Sequence, residues 1–109
     1  MIEKDFFKFY IPALECALSS TNINDGFNLL SPDAYIKDEK LRNQMDLFEE
    51  NNFYKHRLLF ENVALYFDAK SHGFPKINGI EIETFRLNLN QIISEYKRLY
   101  PPAGPSVFK

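Results

Sequence analysis

Along the first twenty residues, Phe6, Phe9, Tyr10, Ala13, Leu14, Ala17 and Leu18 recur at steps of three and four, the spacing that lines one face of an α-helix. Pro12 interrupts this pattern. It has no amide to give to the Lys8 carbonyl, and it disfavours helical geometry at Ile11. The segment is therefore either one kinked helix or a short helical turn followed by a second helix with Pro12 at its first position. The stretch SSTNINDGFN then ends it, because Ser, Thr, Asn and Asp side chains bond readily to nearby backbone.

A second helical pattern opens with Ser31 as cap, Pro32 at the first helical position and Asp33 in the first turn, a strong start signal. Leu41, Met45 and Phe48, preceded by Ala34, make a narrow apolar stripe, and the rest of this segment is charged. Such a helix belongs on the surface.

The run YKHRLLFENVALYFDAK is ambiguous. Leu59, Phe60, Val63, Tyr66 and Phe67 fit a helix, and Leu58 and Leu65 fall on a second face, so a helix here would be buried on most sides. One or two buried strands fit the same residues. Length, few β-branched side chains, and Glu61 and Ala64 favour the helix. After the loop SHGFPKI, Ile82, Phe85, Leu89, Ile92, Ile93, Tyr96 and Leu99 share one stripe. Asn78 with Glu81 three residues on resembles a capping box, whereas INGI reads as a hairpin with a type I′ turn. Helix from about Thr84 follows either way. Lys97 and Arg98 suit the last turn, and Pro101 and Pro102 stop it.

These patterns predict a mainly α fold: a compact bundle of about four helices in one domain, residues 1–100, followed by a Pro-rich tail, 101–109. The alternative is an α+β domain with a small sheet from residues 55–83.

Composition sharpens this picture. The chain has 109 residues, 45% of them hydrophobic and 26% charged, enough for one domain with its own core. Eleven Phe and six Tyr, with no Trp, make rings the bulk of the interior and leave some for a contact surface. A net charge of −2 argues against general affinity for nucleic acid or an anionic membrane. The charge is uneven, however. Residues 31–53 carry six acids against three bases, and residues 84–109 four bases against one acid. The two segments either attract each other within the fold or leave one of them for a partner. The single cysteine, Cys16, permits no internal disulfide. The N-terminal MIEKDFFKFYIP lacks a secretory pattern, and no run reaches membrane-span length, so a cytoplasmic setting is expected. Ten Asn with abundant Lys, Ile and Phe fit an AT-rich bacterial or phage coding sequence.

Candidate chemistry is sparse. Asp68, Lys70 and His72 resemble a base with its orienting acid, but a helix ending near Lys70, with Gly73 as terminator and Pro75 beyond, accounts for the same residues. Cys16 has no basic neighbour to activate it. His56 and His72 show no zinc spacing, and no phosphate-binding loop, dinucleotide fingerprint or serine elbow occurs. No catalytic residues, metal or cofactor are therefore expected. The densest acidic group lies in the second helix, where Asp38, Asp46, Glu49 and Glu50 stand with the rings Phe48, Phe53 and Tyr54. Acids with aromatics suit a grip on a cationic protein. The expectation is a protein-binding inhibitor of the immunity-protein kind, occluding a basic toxin or nuclease domain through those seven residues. A helical assembly module, such as a homodimer, is the alternative. An enzyme built on the His72 loop is a third reading.

Overall fold

The computed structural model describes residues 2–31, 34 and 36–101. Its elements are α1 (Ile2–Ser19), α2 (Ile23–Asn28), α3 (Glu39–Asn52), α4 (Arg57–Ser71), a hairpin of β1 (Lys76–Ile77) and β2 (Ile80–Glu81), and α5 (Ile82–Leu99). The fold is mainly α. A small sheet exists, but it occupies only residues 76–81, and the ambiguous run before it is helix.

Helix α1 is central and packs against α2, α3 and α5. It continues through Pro12 as one helix. A proline inside a helix costs about 3 kcal/mol. Ile11 and Leu14 on either side are fully buried, and burying each contributes about 1.5–3 kcal/mol, so packing outweighs the lost hydrogen bond. Phe6 and Phe7 anchor the ring-rich core. Phe6 lies 4.8 Å from Phe48 between ring centroids, and Phe7 lies 4.9 Å from Tyr96 and 4.8 Å from Tyr100.

The stretch after α1 does make local side-chain bonds, yet they start a helix. Asn22 caps α2, its side chain accepting from Asn24 N at 3.0 Å and Asp25 N at 3.2 Å. This turns the chain back along α1 so closely that only glycine fits at position 26, where an added Cβ would stand 2.8 Å from the Ala17 carbonyl oxygen.

Helix α3 begins later than its sequence signal. Its cap is Asp38, whose carboxylate accepts from Leu41 N at 3.1 Å. Ser31 accepts Ala34 N through its carbonyl at 2.9 Å and Ala34 is helical, while Pro32 and Asp33 of that start signal lie outside the described residues. Asp38 succeeds as the cap because it is followed by an unbroken set of helix formers, Glu-Lys-Leu-Arg.

Helix α4 buries Leu59, Phe60, Val63, Tyr66 and Phe67, as the periodicity predicts. Its second face is not covered, however. Leu58 and Leu65 remain 66% and 42% exposed. The helix closes with a glycine terminator: Gly73, at φ 71°, donates to Lys70 O at 3.1 Å, and Phe74 N donates to Ala69 O at 3.0 Å. The SHGFP stretch thus ends a helix.

The hairpin settles the Asn78 ambiguity. Asn78 and Gly79 both have positive φ, 51° and 84°, the type I′ requirement. Lys76 pairs with Glu81 and Ile77 with Ile80. Asn78 is therefore not a cap, and α5 starts with Glu81 at its N-cap position and no side-chain cap. Ile77 tucks into the core, which seats the hairpin between α4 and α5.

Candidate functional site

Asp46 and Glu49 on α3 and Phe53 at its C-cap are spaced three and four residues apart, so they stand in one line. That line forms one bank of an open groove of about 440 Å³. Tyr10 of α1, Phe27 of α2, and Phe60, Val63 and Ala64 of α4 supply the floor and the opposite bank, with Asn28, Leu30 and Ser31 along the edge. Phe53 stacks on Phe60 with centroids 5.8 Å apart, which holds α3 against α4 and sets the groove's width. The walls are rings and the rim is carboxylate.

The electrostatics of the rim are unrelieved. Burial raises the pKa of Glu49, and the charge of Asp46 adds to the effect. Among the described residues neither carboxylate has an ion-pair partner. Arg42, one turn before Asp46, points its guanidinium elsewhere, donating to the Ile36 and Lys37 carbonyl oxygens at 3.2 Å each. Nor do Arg86, Lys97 and Arg98 of α5 pair with the acids of α3. Lys97 pairs with Glu15 at 3.1 Å, Arg98 with Glu95, and Arg86 donates to Leu18 O at the end of α1. Among the described residues the attraction expected between residues 31–53 and 84–109 is not formed: Lys97 pairs with α1, and Asp46 stays exposed.

The seven candidate residues separate in three dimensions. Asp46, Glu49 and Phe53 come together at the groove. Glu50 is exposed and Tyr54 is 85% exposed, both outside the lining. Asp38 spends its carboxylate on the α3 cap. Phe48 packs against Phe6 and Phe7 and lies outside the groove, at the edge of a separate cavity with Gln44 and Leu47. One residue, the step from Phe48, separates core from rim on this helix. Tyr10, Phe27 and Phe60 line the groove without having been singled out. Only the surplus of rings hinted at them, because Tyr10 and Phe60 sit in core stripes and Phe27 in an apparent loop.

A second polar cluster escaped the sequence altogether. His56 is the buried polar side chain of the core. Its Nε2 lies 3.1 Å from Glu3 Oε1 and its Nδ1 lies 3.0 Å from Tyr96 Oη. A carboxylate only accepts, so Nε2 donates to Glu3, and in the neutral ring Nδ1 accepts from the Tyr96 hydroxyl. Tyr100 Oη donates to Glu3 Oε1 at 2.7 Å, and Lys55 Nζ lies 3.0 Å from Oε2. Hydrogen bonds from Tyr100 and Lys55 hold the Glu3 carboxyl below its usual range. Burial lowers the His56 pKa against the pull of Glu3, and burial, then the Glu3 bond, push Tyr100 up to about 12. Both ring nitrogens are occupied, so the imidazole bridges helices and has no nitrogen for a substrate.

His72 is exposed at the end of α4, its Nδ1 2.8 Å from Asp68 O and 3.4 Å from Asp68 Oδ1, with its ring stacked on Phe74. Burial and then Glu15 raise the Cys16 thiol pKa, the reverse of activation. Among the described residues no cluster of metal-ligating side chains occurs, and no helix is long and apolar enough to cross a membrane.

Comparison with protein-family models, curated proteins and solved structures finds no match.

Proposed function

We propose that this protein acts by binding, as a small cytoplasmic inhibitor of the immunity-protein type. In this reading it seats a basic surface of a toxin or nuclease domain on the groove between α3 and α4. The observation that carries the reading is the pairing of Asp46 with Glu49 on the rim of a ring-walled groove, with no ion-pair partner for either among the described residues. Two like charges at that spacing repel, and Phe27 in the same groove stands 52% exposed. A cationic protein surface would relieve the first and cover the second. Apolar anchors supply affinity at such an interface, and rim charges supply on-rate and choice of partner.

The test is capture of proteins from the native cell lysate on immobilised protein. Each captured protein is then expressed alone to see whether it is toxic, and co-expressed with this chain to see whether toxicity is relieved. Charge reversal at Asp46 and Glu49 should abolish capture and rescue together while leaving the fold intact by circular dichroism. Undiminished capture and rescue by that variant would remove the groove from the account. Capture of this chain alone would favour the assembly-module reading instead.

A further inference from the structure

The second face of α4 is where the sequence and the structure part most clearly, and it lies beside the groove. On the other side of Phe27, between α2 and α4, a second cavity of about 570 Å³ opens over Leu65, Phe67 and Asp68. Phe27 and Ala64 line both cavities, so the two form one trough with Phe27 as a ridge across its middle. The ridge is anchored, its ring edge-on to Phe67 at 5.7 Å, yet 52% of the residue stands in solvent.

We propose, building on the binding role above, that the trough receives a basic amphipathic helix of the partner protein, laid along α4 across Phe27. Three features select that occupant. The α4 floor runs from Phe60 to Ser71, about 16 Å at 1.5 Å per residue. That matches about three turns of a docked helix, whose anchors at i, i+3 or i+4, and i+7 would straddle the ridge. The walls are helices and their connections, with no strand among the lining residues. An extended segment would find no sheet edge to pair with, whereas a helix satisfies its own backbone. Finally, the charge is one-sided. Asp46 and Glu49 stand at one end of the trough, Asp68 at the other, and among the described residues no Lys or Arg lines either cavity.

The absence of cations follows from the sequence. The α2 wall comes from a stretch that holds no Lys or Arg between Lys8 and Lys37. Arg57, on the same line of α4 as Glu61, Ala64 and Asp68, is tied to Glu61 at 3.0 Å. Lys70 turns to the other side of α4, over the Tyr66 ring. The docked helix therefore carries apolar residues along one face and Lys or Arg at both ends.

The probe is a synthetic 15-residue helical peptide with Leu at helical spacing and Lys elsewhere, alongside its counterpart with Glu in place of Lys. Binding is measured by fluorescence anisotropy at low and high salt, with amide chemical-shift mapping of the full chain. The Lys peptide should bind, weaken with salt, and shift amides of α2 and α4 around Phe27 and Leu65. The Glu peptide should not bind. Ala64→Lys, which plugs an exposed position in mid-trough, should weaken binding at least tenfold, and Asp68→Lys severalfold. Asn88→Lys on α5 should change nothing beyond its charge. If both peptides bind alike, or the shifts fall on α5, the trough is not the docking site. If Asp46 and Glu49 reversal weakens partner capture while Ala64→Lys and Asp68→Lys do not, the helix proposal fails and the binding role stands. If none of these variants affects capture, both fail. Sedimentation that shows a dimer dispersed by the Lys peptide would make a second copy of this chain the occupant and overturn the proposal.

Discussion

Glu3 and His56, fifty-three residues apart in sequence, meet at 3.1 Å, and this contact joins the first turn of α1 to the connection between α3 and α4. Tyr96 and Tyr100 bring in the last turns of α5. The cluster thus ties both chain ends of the described fold to its middle. Each member satisfies another's polar groups, so removing one strands the rest. His56→Ala should cost about 1–3 kcal/mol, the usual penalty for leaving buried groups unpaired. Tyr100→Phe, which removes one bond to a partly exposed carboxylate, should cost about 1 kcal/mol. Urea unfolding midpoints at pH 7 check both. Unchanged midpoints would mean that the cluster is solvated in place and holds nothing.

The same residues set a pH profile. The Glu3 pKa is depressed below its ordinary 4.5 and that of His56 below its ordinary 6.5. In each window the unfolded chain holds a proton that the folded chain does not, so stability falls as pH falls. The loss begins near 6.5 with His56 and deepens below 4.5 with Glu3. At the alkaline end Tyr100 is raised from 10 to about 12. There the unfolded chain loses its proton first, and stability falls as pH rises through that interval. Thermal midpoints from pH 3 to pH 11 should trace a plateau with both shoulders. Loss of the shoulder that begins near pH 6.5 in His56→Phe would assign it.

Glu49 runs the opposite way to Glu3. Its pKa is raised above 4.5 by burial and by Asp46, so the folded chain holds the proton longer, and stability falls as pH climbs through that range. Glu49→Gln should therefore stabilise the free protein at pH 7 by about 0.2–0.5 kcal/mol, the size of one like-charge helical pair, while weakening its binding to a cationic partner. Stability and binding moving in opposite directions is the mark of a site residue. A variant weaker in both would make Glu49 a structural residue.

Gly26 tests the seat of α2. Alanine is the better helix former by about 1 kcal/mol. Its Cβ would lie 2.8 Å from the Ala17 carbonyl oxygen and 3.3 Å from Ser20 Cβ, and relieving such overpacking costs about 1–3 kcal/mol. Gly26→Ala should destabilise by up to about 2 kcal/mol net, read from the denaturation midpoint, and should loosen the Phe27 ridge. A stabilised variant would show that α2 lifts freely from α1.

Much of this architecture was written in local pattern. The helical class, the end of α4 at Gly73, the ring-filled core and the line of Asp46, Glu49 and Phe53 follow from spacing and residue chemistry. Each depends on atoms within a few residues of one another, and that range is what periodicity and turn chemistry report. Some local signals still competed. Asn78 fits both a cap and a turn, and geometry further along the chain chose between them: the pairing of Ile77 with Ile80 fixes Asn78 in the hairpin.

Other features had no local signature. Nothing near Leu65 states whether a neighbour will cover it. Whether Phe48 or Phe53 faces the core depends on where α1 crosses α3, and Glu3 meets His56 only because the start of α1 lies against the connection between α3 and α4. Burial of a second face is a property of two elements, so a single stretch of chain cannot encode it. The chain supplied the helices and their charges, and the packing of those helices against α1 left one side of α4 uncovered.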